Sequence, residues 1–140
     1  MQRYSPQKDE AAKGIKTGFQ SSLTDEQIQI LFEKLKGKYI DKNTDESHFK
    51  AIFKPDPLPY DFIPIIKTKQ FTDTLLAYFI SELFQKENQS DYWSISLNCF
   101  DKAENLKQSL YNAFTYNPEG KPKGYKQIDA ILKSIYTPLQ

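Results

Sequence analysis

Residues 71–85, FTDTLLAYFISELFQ, form the most apolar element of the chain and decide how the rest must pack. Apolar side chains recur there every three or four residues, at Leu75, Leu76, Phe79, Ile80, Leu83 and Phe84. This spacing predicts a helix from Lys69 to Gln85. Because a helix that is apolar over most of its surface must be covered by other elements, we expect it at the centre of the core.

Two shorter helices are predicted before this stretch. Residues 24–27, Thr-Asp-Glu-Gln, match a capping box, and the apolar residues that follow repeat at helical spacing. Residues 45–53 predict a second, short helix capped by Thr44. Three prolines between residues 55 and 59 prevent that helix from continuing, so the chain beyond should be extended. Residues 63–66 are predicted to form a short β-strand.

Three further helices are predicted after the apolar stretch. The apolar spacing in residues 91–100 suits either a strand or a helix, and we favour a helix because polar residues at its start can cap it. A tight turn at residues 101–102 leads into a helix at 103–114. A strong turn signal at residues 117–120 precedes a last amphipathic helix that begins near Tyr125.

These elements predict a mainly α fold of about six helices with one short β element. Residues 1–20 are predicted to be a flexible N-terminal segment, 21–68 a helical half, and 69–140 a half that resembles a helix-turn-helix or winged helix. The two halves echo each other, since Thr24-Asp25 recurs as Thr72-Asp73 before a long and then a short helix. Two unrelated amphipathic helices would show the same echo, so a degenerate repeat stays open.

Charge and composition exclude little by themselves. The chain has 19 basic and 18 acidic residues, but residues 102–140 carry six lysines against three acids, which favours an anionic partner for that part. The single cysteine, Cys99, excludes an internal disulfide and lies among apolar neighbours. No apolar run has the length of a membrane helix, and the N-terminus lacks an apolar stretch. We therefore expect a cytoplasmic protein without a membrane partner.

The predicted helix at residues 103–114 offers polar side chains to a ligand. Leu106 and Leu110 can anchor it, and no acidic residue of the helix follows Glu104. Amide side chains pair with adenine edges in DNA, whereas lysines pair with guanine or phosphate. The predicted DNA-binding residues are Lys102, Asn105, Lys107, Gln108, Tyr111, Asn112, Lys121, Lys123 and Lys126. An ordinary surface helix has the same composition, and the sequence leaves this alternative open.

Catalytic patterns are missing from the sequence. His48 is the only histidine, and nothing near Cys99 indicates the electropositive surroundings of a reactive thiol. The chain contains no glycine-rich phosphate loop, no zinc-ligand spacing and no calcium loop. We therefore predict a protein that is not an enzyme and uses no cofactor or metal.

Three runs of the second half resemble a known family. The word KPKGYKQIDAIL at 121–132 resembles an ending found in a wider group of mobile-element proteins. The run from Phe71 to Phe100, AENLKQSLYN at 103–112 and the ending IDAILKSIY at 128–136 are similar to the C-terminal domain of RteC-type regulators. These regulators belong to Bacteroides conjugative elements and act in tetracycline-dependent excision. The resemblance covers residues 70–136 and extends to other proteins of mobile elements in that phylum. It implies a winged-helix-like domain for transcription regulation, with residues 103–114 as its recognition helix.

A protein-interaction adaptor is the rival interpretation. In that case the proline-rich segment and exposed aromatic residues would bind another protein, with no nucleic acid involved. The placement of the lysines distinguishes the two functions: a shared face favours DNA, whereas scattered lysines beside an exposed patch of Tyr60, Phe62 and Ile65 favour the adaptor. A second copy of the chain or another protein also stays open as a partner.

Overall fold

The computed structural model describes residues 16–19, 21–54, 56–85, 91–116 and 120–136. Six helices lie within these residues. They are α1 (Asp25–Leu35), α2 (Glu46–Ala51), α3 (Asp73–Gln85), α4 (Tyr92–Cys99), α5 (Leu106–Tyr116) and α6 (Tyr125–Tyr136). The mainly helical fold class predicted from the sequence is therefore confirmed.

Helix α3 lies at the centre of the core, as predicted. It packs against α4, α5 and α6, and Leu76, Phe79 and Leu83 are almost fully buried. The helix begins at Asp73 rather than at Lys69, because Thr72 caps it: the Thr72 hydroxyl accepts the Leu75 N–H at 3.2 Å. Residues 69–70 instead form a turn, which places their side chains on the surface beside the start of α3.

Helix α1 links the two halves of the chain. Its predicted capping box is present, since Thr24 and Gln27 exchange hydrogen bonds between side chain and backbone. The Gln27 side chain also donates from Nε2 to the carbonyl of Ile135, at the end of α6, over 2.8 Å. Since α1 also packs on α2 and α6, one hydrophobic core contains residues of both halves.

We expect Gln27→Glu to lower the free energy of unfolding by about 1 kcal/mol. A glutamate keeps the oxygen that accepts the Thr24 N–H but cannot donate to Ile135. Gln27→Ala removes both interactions and should cost roughly 2 kcal/mol. Urea unfolding followed by circular dichroism measures both values. A Gln27→Glu variant as stable as the unmodified protein would show that the bond to Ile135 contributes nothing, and equal losses for the two variants would show the same for the bond to Thr24.

Helix α2 begins one residue later than the sequence predicts and has a different cap. The Asp45 carboxylate, not Thr44, accepts the N–H groups of Ser47 and His48, at 2.8 and 3.2 Å. The Ser47 hydroxyl donates to the same carboxylate, and together these bonds hold the Asp45 pKa below its usual range. Aspartate therefore takes the capping role that was predicted for the threonine before it.

The predicted β element is not confirmed. Among the described residues only isolated bridges occur, and one of them pairs Ile65 with Phe100. Ile65 donates to the Cys99 carbonyl at 2.8 Å, and its own carbonyl accepts the Asp101 N–H at 3.0 Å. Residues 63–66 therefore lie extended beside the end of α4 without forming a strand. The predicted wing is likewise not confirmed, and residues 117–119 of its loop lie outside the described part.

The structured part of the chain starts before residue 21, where the sequence placed the end of a flexible segment. Phe19 is fully buried in the core, and its N–H donates to the Ile52 carbonyl at 2.6 Å. Gly18 allows this approach, since a Cβ there would lie 2.4 Å from the Ile52 oxygen. Residues 1–15 and 20 lie outside the described part.

Residues 92–99 form helix α4, so the prediction of a helix rather than a strand for this stretch is confirmed. Within it, the fully buried Ser96 donates to the Tyr92 carbonyl at 2.7 Å. Helix α5 begins at Leu106, three residues later than predicted. Lys102 has a left-handed backbone (φ 56°) and Ala103 is buried ahead of the helix. The chain therefore turns and enters the core before α5 can begin.

The echo between the halves corresponds to two similar helix pairs. Helices α1 and α3 both follow a threonine cap, and each packs against the short helix that comes next along the chain, α2 and α4 respectively. After the second pair the chain continues into α5, whereas after the first it enters the proline-rich segment. The shared core means that the two pairs fold as parts of one body.

Candidate nucleic-acid interface

Helix α5 presents a polar face to solvent. Leu106, Leu110 and Ala113 are buried, and α5 packs on α3, forming the most extensive helix pair among the described residues. The opposite side is exposed and carries the predicted contact residues Lys107, Gln108, Tyr111 and Asn112. The apolar strip therefore leaves that side of the helix available to a ligand.

Two amides on this face are bonded to each other. Gln108 donates from Nε2 to the Asn112 Oδ1 at 3.0 Å, one helical turn apart. An adenine edge in the major groove offers one acceptor and one donor to a side-chain amide. The bonded pair has the complementary groups, an amino group on Asn112 and a carbonyl oxygen on Gln108. Its internal bond fixes the two side chains relative to one another, which lowers the entropy cost of binding.

A groove of about 840 Å³ runs along one flank of α5. The residues that α5 contributes, Ser109, Asn112, Ala113 and Tyr116, have the spacing of a single helix flank. Three lysines and three amides also line it: Lys38, Lys69, Lys123, Gln70, Asn112 and Gln127. Among the described residues no carboxylate lines this groove. Its walls therefore favour an anionic ligand.

Lys38 and Lys69 come together because two loops pair. Thr68 donates its N–H to the Tyr39 carbonyl at 2.8 Å, and its hydroxyl donates to the Lys38 carbonyl. The Asp41 N–H likewise donates to the Ile66 carbonyl at 2.8 Å. These bonds hold the turn after α1 beside the turn before α3. Tyr39, packed edge-on against Phe71, lines the groove below them.

Lys123 reaches the groove from the turn before α6. Tyr125 donates its N–H to the Pro122 carbonyl at 3.2 Å, and Gly124 closes the turn with φ +88°. A residue with a side chain would be strained at that φ, and a Cβ at Gly124 would lie 3.4 Å from a methyl group of Leu75. The turn therefore lies directly against α3, which brings Lys123 to the same groove as Asn112.

The other predicted residues do not share this groove. Lys107 lies on the opposite flank of α5, since it stands about 140° around the helix from Asn112. Lys121 lines a separate depression together with Glu82 and Asp129, and its ammonium lies 4.9 Å from the centre of the Tyr125 ring. Its depression carries acidic residues, so the predicted basic loop is divided between two sides of α6.

The three remaining predicted residues are exposed at the edges of the site. Lys102 lies in the turn before α5, and Asn105 precedes the first helical residue, with its carbonyl accepting the Ser109 N–H at 2.9 Å. Lys126 is exposed on α6. Among the predicted site residues, the structure therefore groups Asn112 and Lys123 in the groove, with Gln108 bonded to Asn112. Sequence reasoning missed Lys38 and Lys69, since no local pattern shows that their loops pair.

Tyr78 borders the depression that contains Lys121. Its hydroxyl donates to the Asp129 Oδ1 at 2.6 Å. Burial and this bond to a carboxylate both raise the Tyr78 pKa. The phenol is therefore a fixed donor that joins α3 to α6, which accounts for it as a structural residue.

His48 and Cys99 are the two side chains considered for catalysis from the sequence. The His48 Nδ1 accepts the Ile63 N–H at 3.4 Å, and its Nε2 lies 3.8 Å from the Asp61 carboxylate. Burial raises the pKa of the Cys99 thiol to about 12, which leaves very little of the nucleophilic thiolate near neutral pH. Across the described ranges no cluster of three or more His, Cys, Asp or Glu side chains could hold a metal ion.

The patch expected for the adaptor differs in composition from the prediction. Tyr60 is fully exposed, but Ile65 is buried and Phe62 is half-buried. Ile63 and Ile66 are exposed instead. Residues 60–66, which follow the prolines between 55 and 59, therefore expose three large apolar side chains, Tyr60, Ile63 and Ile66.

Comparison of the sequence with protein-family models, with curated proteins and with solved structures found no match. The resemblance to RteC-type regulators therefore stays a prediction. In the part of the chain that the structure describes, no helix combines the length and apolar character needed to cross a membrane.

Proposed function

We propose that this protein binds double-stranded DNA through the outer face of α5 and the adjoining groove. The observation that carries the proposal is the lysine-lined groove, free of carboxylates in its described lining, directly beside the exposed amide pair of α5. Positive charge without nearby acid attracts a phosphate backbone, and amides on a helix are suited to base edges. Neither feature alone would separate a DNA-binding face from an ordinary surface.

The proposed mode places α5 in the major groove. Gln108 and Asn112 would read an adenine, while Lys107 and Tyr111 on the far flank would meet the opposite groove wall. Leu106 and Leu110, through which α5 packs on α3, would hold the helix in position during binding. The helix-turn-helix pattern supports this mode only in part, because α4 and α5 both pack on α3 and are not a prominent contact pair with each other.

The biological role we propose is regulation of a mobile genetic element. It is supported by the resemblance of residues 70–136 to RteC-type regulators, which carries the expectation of a DNA-binding domain. The predicted lysines of residues 102–140 do not share one face, since Lys107 and Lys121 lie away from the groove, so the charge of this part supports the role only through Lys123. No catalytic step is part of the proposal.

Selection from a pool of randomised duplexes, followed by fluorescence anisotropy on the enriched duplex, tests the proposal. We expect Gln108→Ala with Asn112→Ala to weaken binding to the enriched duplex about tenfold, since a good amide–adenine pair is worth about 1–3 kcal/mol. Binding to an unselected duplex should be unchanged, because phosphate contacts dominate it.

The matched control is the double variant Gln29→Ala with Asn43→Ala, which removes one side-chain amide from α1 and one from the loop before α2. It should bind both duplexes like the unmodified protein. Absence of duplex binding by the unmodified protein at about 50 mM salt, where phosphate contacts are strong, would refute the proposal. Equal behaviour of the two double variants would refute the role of α5 in reading bases.

A protein-interaction adaptor is the second candidate. The observation that favours it is the apolar surface exposed by Tyr60, Ile63 and Ile66 within seven residues of chain, since exposed apolar residues often mark a protein contact. This surface lies on the proline-rich segment and includes no residue of the groove. Failure of the unmodified protein to bind any duplex would make the adaptor the preferred function.

A further inference from the structure

We infer that Lys38 and Lys69, from the first half and from the turn before α3, form a phosphodiester-binding site with Lys123, and that one DNA backbone lies in this groove. The inference rests on the proposed function and extends the DNA contact to Lys38 in the first half and to Lys69 in the turn before α3. It also assigns the contact with the DNA backbone to this groove and not to the loop around Lys121.

The three lysines come from three separate elements that converge on one groove. Lys38 follows α1, Lys69 precedes α3 and Lys123 precedes α6. Their backbones are held by the loop pairing at Thr68 and by the turn that Gly124 closes. Three lysines that line one groove, with no carboxylate in its described lining, raise the positive potential there.

The charges in the groove are not balanced by its own described lining, which contains no carboxylate. The nearest acid along the chain is Asp73, between two lining residues, and the Lys67 ammonium pairs with it at 3.0 Å. The Lys38 ammonium lies 5.4 Å from the centre of the Tyr39 ring, an aromatic contact that leaves the positive charge in place. An anion entering the groove would therefore meet uncompensated lysine charge.

The neutral groups of the groove suit a phosphodiester as well. Hydroxyl groups of Thr72, Thr74, Ser109 and Tyr116 line it beside the amides of Gln70 and Gln127. Hydroxyl and amide side chains are regular donors to phosphate oxygens in DNA complexes, alongside lysine. The volume, about 840 Å³, is that of a small-molecule site, so it takes the edge of one backbone rather than a whole duplex.

The proposed phosphate contacts in the groove would set the orientation of the duplex relative to α5. The groove follows the flank that contains Ser109, Asn112 and Tyr116. A backbone held there would lie alongside α5 and bring the adjacent base edges toward Gln108 and Asn112. Phosphate contacts of this kind set the register of a protein on DNA without reading sequence.

The test replaces Lys38 and Lys69 by glutamine, which removes the charge and keeps part of the aliphatic chain. The probe is a fluorescent duplex of mixed sequence, titrated at several salt concentrations by anisotropy. We expect the double variant to bind about tenfold to a hundredfold more weakly, because both lysines are exposed and an exposed charge pair contributes only modestly. The slope of log affinity against log salt should become shallower by about 2, one contact per lysine.

The matched control is Lys34→Gln with Lys42→Gln, which removes two exposed lysines of residues 21–68 that do not line the groove. It has the same net charge as the test variant, so general attraction to DNA is equal in both. Test and control variants with the same affinity and the same salt slope would overturn the inference. Unfolding midpoints of both variants should match that of the unmodified protein, because the lysines are exposed.

The outcomes separate this inference from the proposed function. If the unmodified protein binds no duplex, the proposed function fails and the inference fails with it. If the duplex binds and the Lys38/Lys69 variant behaves like its control, only the inference fails.

A small phosphorylated molecule is the other source of the same chemistry, so calorimetry with pyrophosphate at constant ionic strength forms a second arm. Pyrophosphate binding that is lost in the variant while duplex binding is retained would overturn the backbone assignment.

Discussion

Replacing Phe19 with alanine is expected to lower the free energy of unfolding by about 3–5 kcal/mol, the usual cost of removing a buried phenylalanine. Its side chain is fully buried, and its ring stacks on Phe84 with 4.0 Å between ring centroids and 13° between planes. The residue holds the segment before α1 against α3, since its N–H also donates to Ile52. Loss of the ring leaves a cavity between these elements that the main-chain bond alone cannot close.

Phe114→Ala is the matched control for this prediction. It removes the same atoms from a residue on α5 that is 50% exposed. Its cost should be well under half that of Phe19→Ala, because the apolar area lost from the core is much smaller. Urea unfolding followed by circular dichroism and by tryptophan fluorescence gives both values. Equal costs would mean that Phe19 contributes no more to the core than a half-exposed ring.

The Phe19 contact also shows what the sequence could not predict. Residues 1–20 are polar on average, with Ile15 and Phe19 as the large apolar side chains late in the segment, so composition favours a flexible lead-in. The burial of Phe19 depends on Gly18, whose missing side chain lets the backbone approach Ile52. The contact depends on the missing Cβ of Gly18, and its two residues lie 34 positions apart in the sequence. Such a contact produces no periodic pattern of apolar residues.

Features that lie within one helix could be predicted well. The apolar spacing of residues 71–85 identified the core helix, and the pattern beginning at Thr24 identified a capping box that the structure contains. These succeed because a helix shows its buried side and its cap within a few residues. The helix boundaries were less accurate, since Thr72 and Asp45 took capping roles that the sequence had not assigned to them.

The candidate site was predicted only in part, for the same reason. The exposed side of α5 follows from the spacing of its leucines. The separation of Lys121 from Lys123 does not, because the turn at Gly124 directs two lysines, two residues apart, to different sides of α6. Lys38 and Lys69 lie 31 residues apart, and their meeting depends on main-chain bonds that Thr68 makes.

Replacing Leu110 with alanine should lower the free energy of unfolding by about 3 kcal/mol, within the range seen for buried leucines. Leu110 is 5% exposed at the centre of the strip by which α5 packs on α3. Leu97→Ala removes the same atoms from a residue of α4 that is 50% exposed and should cost less than about 1 kcal/mol. Chemical denaturation of the two variants under identical conditions gives both free energies of unfolding. Because both changes are leucine to alanine, the difference between them reports the effect of burial.

This second prediction bears on function because the same strip orients the amide pair. At low temperature, where most Leu110→Ala molecules remain folded, a loosened α5 should lose more affinity for a selected duplex than for an unselected one. Reading a base requires the helix to be held in place, whereas attraction to phosphates tolerates movement. Parallel losses on both duplexes would mean that α5 is not held for reading bases, and that the lysine groove alone determines binding.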